Sequence, residues 1–465
     1  MTPSLALLLL YSVLQVALGL WIGRRVRQGT DFFVAGRELS AGLIFSTFLA
    51  ANIGAGSTVG ATALGYADGW SAWWRNGSAG LGSLVLAFWI GPKIWREARA
   101  HGDFTVGDFL ERHYGRSMRG AVAALVWLGT LSILAGQLIG IAVVLQVAGG
   151  WPPYAGYLMG AVVAVTYFAA GGLLSSAWVN RVQLLFILAG FAIAVPAAVQ
   201  AAGGWSQATA HTGTGFLGGG TVLGWRYIFI LAPAFIVSPG LLQKAFGARD
   251  ERAVRTGIAL NGLVLLVFAF APAILGLSAR ALFPDLAKPD LALPTLMTDA
   301  LPAALGALAL AAVFSAEIST ADAVLFMLAT SGSRDLYAGF INPRATDAQL
   351  LRSARVAAIV SAGAGIALAF VFTSVIAALD AFYALLTVTL FTPVVAALHT
   401  RTTGRDGLAS VVVGVATLVV VHVATGGRGY GVLTPALAGI LASAAAFLVV
   451  RTTFPAAPAS TARST

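Results

Sequence analysis

The sequence predicts an all-α membrane protein with about thirteen transmembrane helices. Three observations carry that expectation. Of 465 residues, 58% are hydrophobic and only 10% charged, with a mean hydropathy of +0.86; a soluble protein carries about 25% charged residues. The apolar residues gather into runs of about 20, the length a helix needs to cross a bilayer. The Lys and Arg residues fall on alternate sides of those runs. With the N-terminus outside, the outer loops hold only Arg75, Arg226, Arg280, Lys288 and Arg428 of the 28, and the inner side holds the rest. This positive-inside pattern sets the C-terminus in the cytoplasm and makes the cell inner (plasma) membrane the expected location. The net charge of +10 therefore orients the protein in a lipid bilayer and implies no nucleic acid. The chain has no cysteine, which excludes disulfides, thiolate metal sites and cysteine nucleophiles.

The first run, 4–22, is followed by Arg24, Arg25 and Arg27 rather than preceded by positive charge. It reads as a retained helix with its C-terminal end inside, not as a cleavable signal. The second, 41–66, carries Gly54, Gly56 and Gly60 near its middle, where glycine permits unusual backbone angles. Runs at 77–95, 118–147, 153–170 and 175–200 follow, and the seventh, 225–243, contains Pro233 and the pair Pro239–Gly240. Runs at 256–280, 303–332, 352–378, 380–399, 407–425 and 431–450 complete the set. Trp70, Trp73, Trp74, Trp151, Trp205 and Trp225 fall near the outer ends, as an interfacial aromatic belt does. One membrane domain, 1–450, is expected, with its core at about 41–399 and a disordered cytoplasmic tail, 451–465, rich in Ala, Pro, Ser and Thr. The second and seventh runs are interrupted in mid-length. Broken helices at membrane depth are tolerated where backbone lines a cavity, and in corresponding positions of two halves they point to a transporter binding site. The same glycines and prolines also serve close helix packing and simple kinks.

The chemistry concentrates in AEISTADAVLFMLATSGSRDLY, Ala316–Tyr337. Ala316, Ser319 and Thr320 stand at i, i+3 and i+4 and share one helix face. A carbonyl and two hydroxyls are hard neutral oxygens, which suit a cation such as Na⁺ better than a soft metal. Ser and Thr at this spacing also bond back to the preceding turn or bridge neighbouring helices, and the residues alone leave both readings open. Glu317 and Asp322 are carboxylates in an apolar helix, and an intramembrane carboxylate is a functional candidate by default.

Five segments carry a family resemblance: DFFVAGRELSAG at 31–42, LAANIG at 49–54, DFTVGDFLERHYG at 103–115, GGLLSSAWVNRVQ at 171–183 and SAEISTADAVLFMLATSGSRDLY at 315–337. In this order they resemble the sodium:solute symporter family, which includes the bacterial sodium–proline and sodium–galactose transporters. The resemblance implies a LeuT-like 5+5 inverted-repeat core with one extra N-terminal and two extra C-terminal helices. It implies a Na⁺ site made by the carbonyls of Ala50, Ile53 and Ala316 and the hydroxyls of Ser319 and Thr320. It places the solute beside the broken helices, near Asn52, Ser57, Asn76, Phe235 and Ser238, with Gln243 and Lys244 near the inner mouth. Ser57 and Asn76 stand where the sodium–galactose member has its sugar-binding Gln and Glu, so a sugar is not supported. Asn180 replaces an aspartate that assists sodium release in the family. Glu317 stands where an apolar residue is usual; it is a proton or second-cation candidate, or pairs structurally with Gln137 or Asn52. Asp322 reads as a local ion pair or hydrogen bond. With no buried Arg or Lys expected at the breaks, a solute carboxylate would rely on helix N-termini.

The expected function is sodium-coupled import of a small organic solute by alternating access, with Na⁺ as the co-transported ion and no obligate protein partner. The alternatives are a proton-coupled carrier of the same fold using Glu317 and a membrane solute sensor. An enzyme is not expected, because H-E-x-x-H, G-x-S-x-G and a paired acid cluster are absent from the sequence. GTGFLG at 213–218 lies in an outer loop with no strand before it and reads as linker. The five histidines show no ligand spacing, Asp380 reads as a helix N-cap, and Pro393 as a kink.

Overall fold

The computed structural model describes residues 2–24, 29–210, 215–218 and 224–454. Arg25 and Arg27 of the basic cluster, His211, the start of the GTGFLG stretch and the tail beyond 454 lie outside the described residues. Within them every regular element is helical. Ten helices are long and apolar enough to cross a membrane, and Ala41–Asn52 and Pro153–Thr166 are shorter apolar helices beside them.

The chain opens with α1 (Pro3–Gly23), started by Thr2, whose side chain accepts from the Leu5 amide, and by Pro3 in the first turn. Proline suits that position because its missing N–H has no partner there in any case. The second apolar run becomes two helices, α2 (Ala41–Asn52) and α3 (Val59–Asp68), with residues 53–58 between them outside helical geometry. The third run is α4 (Trp73–Val85), continued as α5 (Gly91–His101). The inner motif forms α6 (Val106–Tyr114), entered through a capping box between Thr105 and Asp108, in which the two residues satisfy each other's backbone amides. Then come α7 (Arg116–Gly149) and α8 (Pro153–Ala201), which spans two apolar runs.

Gly172 divides α8 with φ 52° and ψ −142°. A Cβ there would lie 2.5 Å from the Phe32 carbonyl oxygen, so both backbone conformation and space require glycine. Gly172→Ala is expected to destabilise the protein by about 2 kcal/mol, read as a lowered melting temperature in detergent. An unchanged melting temperature would show that the kink is dispensable.

The seventh run is again two helices, α9 (Tyr227–Val237) and α10 (Pro239–Phe246), broken at Ser238 with φ −56° and ψ 120°. Pro233 lies inside α9 without ending it. The remaining principal helices are α11 (Glu251–Phe268), α12 (Phe270–Leu282), α13 (Ala303–Thr330), α14 (Asp347–Ala369), α15 (Val375–His399), α16 (Gly404–Thr425) and α17 (Pro435–Thr453). The expected boundary between the tenth and eleventh runs moves. Ser374, whose side chain accepts from the Ala377 amide at 3.2 Å, starts α15. Asp380 is therefore a residue inside α15, not its N-cap.

The core centres on α13, which is buried without interruption from Ala309 to Thr330. It packs against α1, α2, α7, α8 and α14. A helix that is apolar all round is a buried helix, and here its polar residues therefore face protein rather than lipid. Arg119 joins Asp108 at 2.8 Å, Glu111 at 2.6 Å and Asp335 at 3.1 Å, while Arg112 holds Asp103 at 2.6 Å. The inner motif thereby ties α6 to α7 and to the chain that follows α13.

Candidate functional site

The break at 53–58 has its backbone satisfied by side chains from elsewhere, as a low-dielectric setting demands. The Ala55 amide donates to Gln137 Oε1 at 2.8 Å, Asn76 donates to the Ser57 carbonyl at 3.0 Å, and Arg75 Nε donates to the Gly56 carbonyl at 3.1 Å. The Ser57 hydroxyl turns back to the Asn52 carbonyl at 2.6 Å. The Thr58 hydroxyl stands 2.9 Å from the Gly54 carbonyl and 2.8 Å from Glu317 Oε1, and its single hydrogen serves one of them at a time. Gly54 is required by contact: a Cβ would lie 2.3 Å from Thr320 Oγ1 and 2.6 Å from Gln137 Oε1.

Four of the five expected sodium ligands come together where α2 ends against α13. Ser319 Oγ lies 2.8 Å from the Ala50 carbonyl and 2.9 Å from that of Ala316. Thr320 Oγ1 lies 3.2 Å from the carbonyls of both Ala50 and Ala51. These oxygens, three carbonyl and two hydroxyl, share two hydroxyl hydrogens and are buried in protein, so the cluster is rich in lone pairs and poor in donors. Such an arrangement is suited to a hard cation. The Ala51 carbonyl was not expected; it follows from how α13 crosses the last turn of α2. Ile53 caps α2 with φ −96° and ψ 89°, which turns its carbonyl off the helix axis. No hydrogen bond joins it to Ser319 or Thr320 among the described residues.

The other singled-out residues divide. Asn52 donates to Asn261 Oδ1 at 3.0 Å, and Asn261 donates to Ser83 at 3.0 Å. Ser57 and Asn76 bond to each other and stabilise the break. Asn180 donates to Thr47 Oγ1 at 3.2 Å, one turn before the Ala50 carbonyl. Glu317 is paired with Thr58, not with Gln137 or Asn52, and its second carboxyl oxygen is buried without a hydrogen-bond partner among the described residues.

Two buried cations correct the expectation that the breaks have none. Arg75, assigned by sequence to an outer loop, lies inside α4. It is 2% exposed and pairs with Asp380 of α15 at 2.9 Å, with its guanidinium 5.4 Å from the Tyr227 ring centre. Lys244 of α10 is 1% exposed and donates to the Thr47 carbonyl at 2.9 Å. Asp322 of α13 attracts it electrostatically. No local pattern reveals the Arg75–Asp380 pair, because its members lie 305 residues apart. For Lys244 the available signal is the short reach from the Pro239–Gly240 break.

Between the two breaks lies a cavity of about 50 Å³. Asn52, Phe235, Ser238, Lys244 and Thr320 are among its lining residues, with Phe382 and Tyr383 as an aromatic wall. Ser57 and Asn76 are not. The lining thus includes both Thr320 of the oxygen cluster and Ser238 of the second break.

A model of the sodium:solute symporter family matches residues 32–414. The sodium/pantothenate symporter of Escherichia coli (strain K12) is 28% identical over 363 residues, 71% of each chain. The sodium/glucose cotransporter of Vibrio parahaemolyticus is 22% identical over 406 residues, 76% of this chain and 72% of its own. Among solved structures, a Na⁺-coupled sialic acid symporter in a substrate-bound outward-open state superposes with a TM-score of 0.83 at 14% identity, covering 97% of this chain and 98% of that one. A nucleobase-cation-symport-1 family transporter in a closed conformation gives 0.61 at 17% identity, covering 91% and 95%. At these identities the structural likeness is one of fold.

Proposed function

The chain belongs to the sodium:solute symporter family, a family of membrane transporters and not of enzymes, and from that premise we propose that it imports a small organic solute by sodium-coupled alternating access. The observation that carries the proposal is the cluster of Ala50, Ala51, Ala316, Ser319 and Thr320 oxygens sharing two hydrogens. Na⁺ is the co-transported ion on this reading, with the Ile53 carbonyl as a further ligand. Neutral ligands bind it weakly enough to release it inside, and Asn180 stands by the release path. The solute binds beside Asn52, Phe235 and Ser238, and the cavity must widen to admit it. The core at about 41–399 is a LeuT-like 5+5 repeat within about thirteen spans, in the plasma membrane with the N-terminus outside. The sodium gradient and the membrane potential, about 2.3 kcal/mol per charge per 100 mV, supply the drive.

The test is a sodium titration of the purified protein, read as thermal stability, with potassium and choline as controls. Saturable stabilisation by Na⁺ alone is the expected result. Equal stabilisation by all three salts would overturn the reading.

A further inference from the structure

We propose that the solute is an anion, a carboxylate or an acid of like shape, whose negative group sits against Lys244. The inference rests on the symporter reading for its site and adds the chemical class of what binds there. Among the described residues Lys244 is the one charged residue that lines the cavity between the two breaks. Its ammonium is 1% exposed and has three hydrogens to place; the Thr47 carbonyl at 2.9 Å takes one. Arg75, the other buried cation, is committed to Asp380 and the Gly56 carbonyl and does not line the cavity. Asp322 attracts the ammonium but is not part of the lining. A solute entering the cavity therefore meets a positive charge and no carboxylate.

Size and neighbours agree with this. A cavity of about 50 Å³ compares with the roughly 10–15 Å³ that one water needs on the same measure, so it takes a head group of a few heavy atoms. Phe235, Phe382, Tyr383 and Met327 offer the remainder of the molecule an apolar wall. Ser238, at the break, adds a hydroxyl to the same lining. A sodium ion held at Thr320, in the same lining, adds a second positive charge. An anion is attracted by both charges, whereas a neutral amide of the same shape gains from neither to that degree and a cation is repelled by both.

The test compares each acid with its isosteric amide: lactate with lactamide, nicotinate with nicotinamide, hexanoate with hexanamide. Each is titrated against the full-length protein by thermal shift, once in sodium chloride and once in potassium chloride. The expected result is that at least one acid stabilises the protein with a half-saturation about tenfold or more below that of its amide, the size of effect a charge-assisted hydrogen bond gives. Because Lys244→Gln alone leaves Asp322 uncompensated, the matching variant is Lys244→Gln with Asp322→Asn, which keeps the net charge. There the acid and its amide should converge. Amides that equal or exceed their acids, a panel in which no acid stabilises more than its amide, or an acid preference that survives the double substitution overturns the proposal. An acid preference that persists unchanged in potassium, with no sodium effect on the protein, overturns sodium coupling and leaves the anion site standing.

Discussion

Replacing Ser319 and Thr320 together by alanine should raise the sodium half-saturation about a hundredfold, roughly tenfold for each charge–dipole contact removed. The hydroxyls contribute two of the oxygens around the Ala50 carbonyl, and both lie within 3.2 Å of it. Alanine keeps each Cβ and therefore most of the packing of α13 against α2; what disappears is the two hydroxyls and the γ-methyl of the buried Thr320. Stability in potassium should fall by much less, since the cost there is limited to that methyl and the carbonyls that lose a donor, about 1 kcal/mol each. Separating the two readouts matters, because a folding defect lowers both melting curves together while a ligand defect moves the sodium curve alone. Wild-type half-saturation in Ser319→Ala/Thr320→Ala would remove the site from this helix face.

Asp380→Ala should destabilise the protein by about 3 kcal/mol, and Arg75→Met by about 1 kcal/mol. The asymmetry follows from unequal burial: the Arg75 side chain is 2% exposed and that of Asp380 35%. Removing Asp380 strands a guanidinium that cannot reach water, and a stranded buried charge carries most of the cost of breaking such a pair. Removing Arg75 leaves a carboxylate that can resolvate and takes the Nε donor from the Gly56 carbonyl, about 1 kcal/mol, while methionine fills much of the volume against Tyr227. Chemical or thermal unfolding in detergent measures both variants. Equal losses, or a larger loss for Arg75→Met, would mean that the pair is not the buried electrostatic contact argued here.

The parts of the fold and site that were legible in the sequence are those with local causes. The breaks at 53–58 and Ser238 fall where glycine and Pro239 stand, because both residues act on their own backbone. The Ser319–Thr320 face was legible from helical spacing alone, while its partner on α2 came from family resemblance, since no local rule pairs residues about 270 positions apart. The Arg75–Asp380 pair was illegible for the same reason, and both members were misassigned to helix margins because hydropathy locates the middle of a span better than its ends. Lys244 was placed at a mouth rather than in the cavity because depth depends on the angle at which α10 leaves the break, which composition does not encode. Ser57 and Asn76 were expected beside the solute; in the structure they bond to each other through the Ser57 carbonyl and do not line the cavity.

The six residues of the first break accept hydrogen bonds from Asn76 and Arg75 on α4 and donate to Gln137 on α7 and Glu317 on α13. Such a segment is genetically entangled with positions far from it in sequence. A defect introduced at 53–58 should find its second-site suppressors on those three helices rather than among its chain neighbours, and compensating pairs should show strong epistasis while changes elsewhere on the lipid-facing surface combine independently.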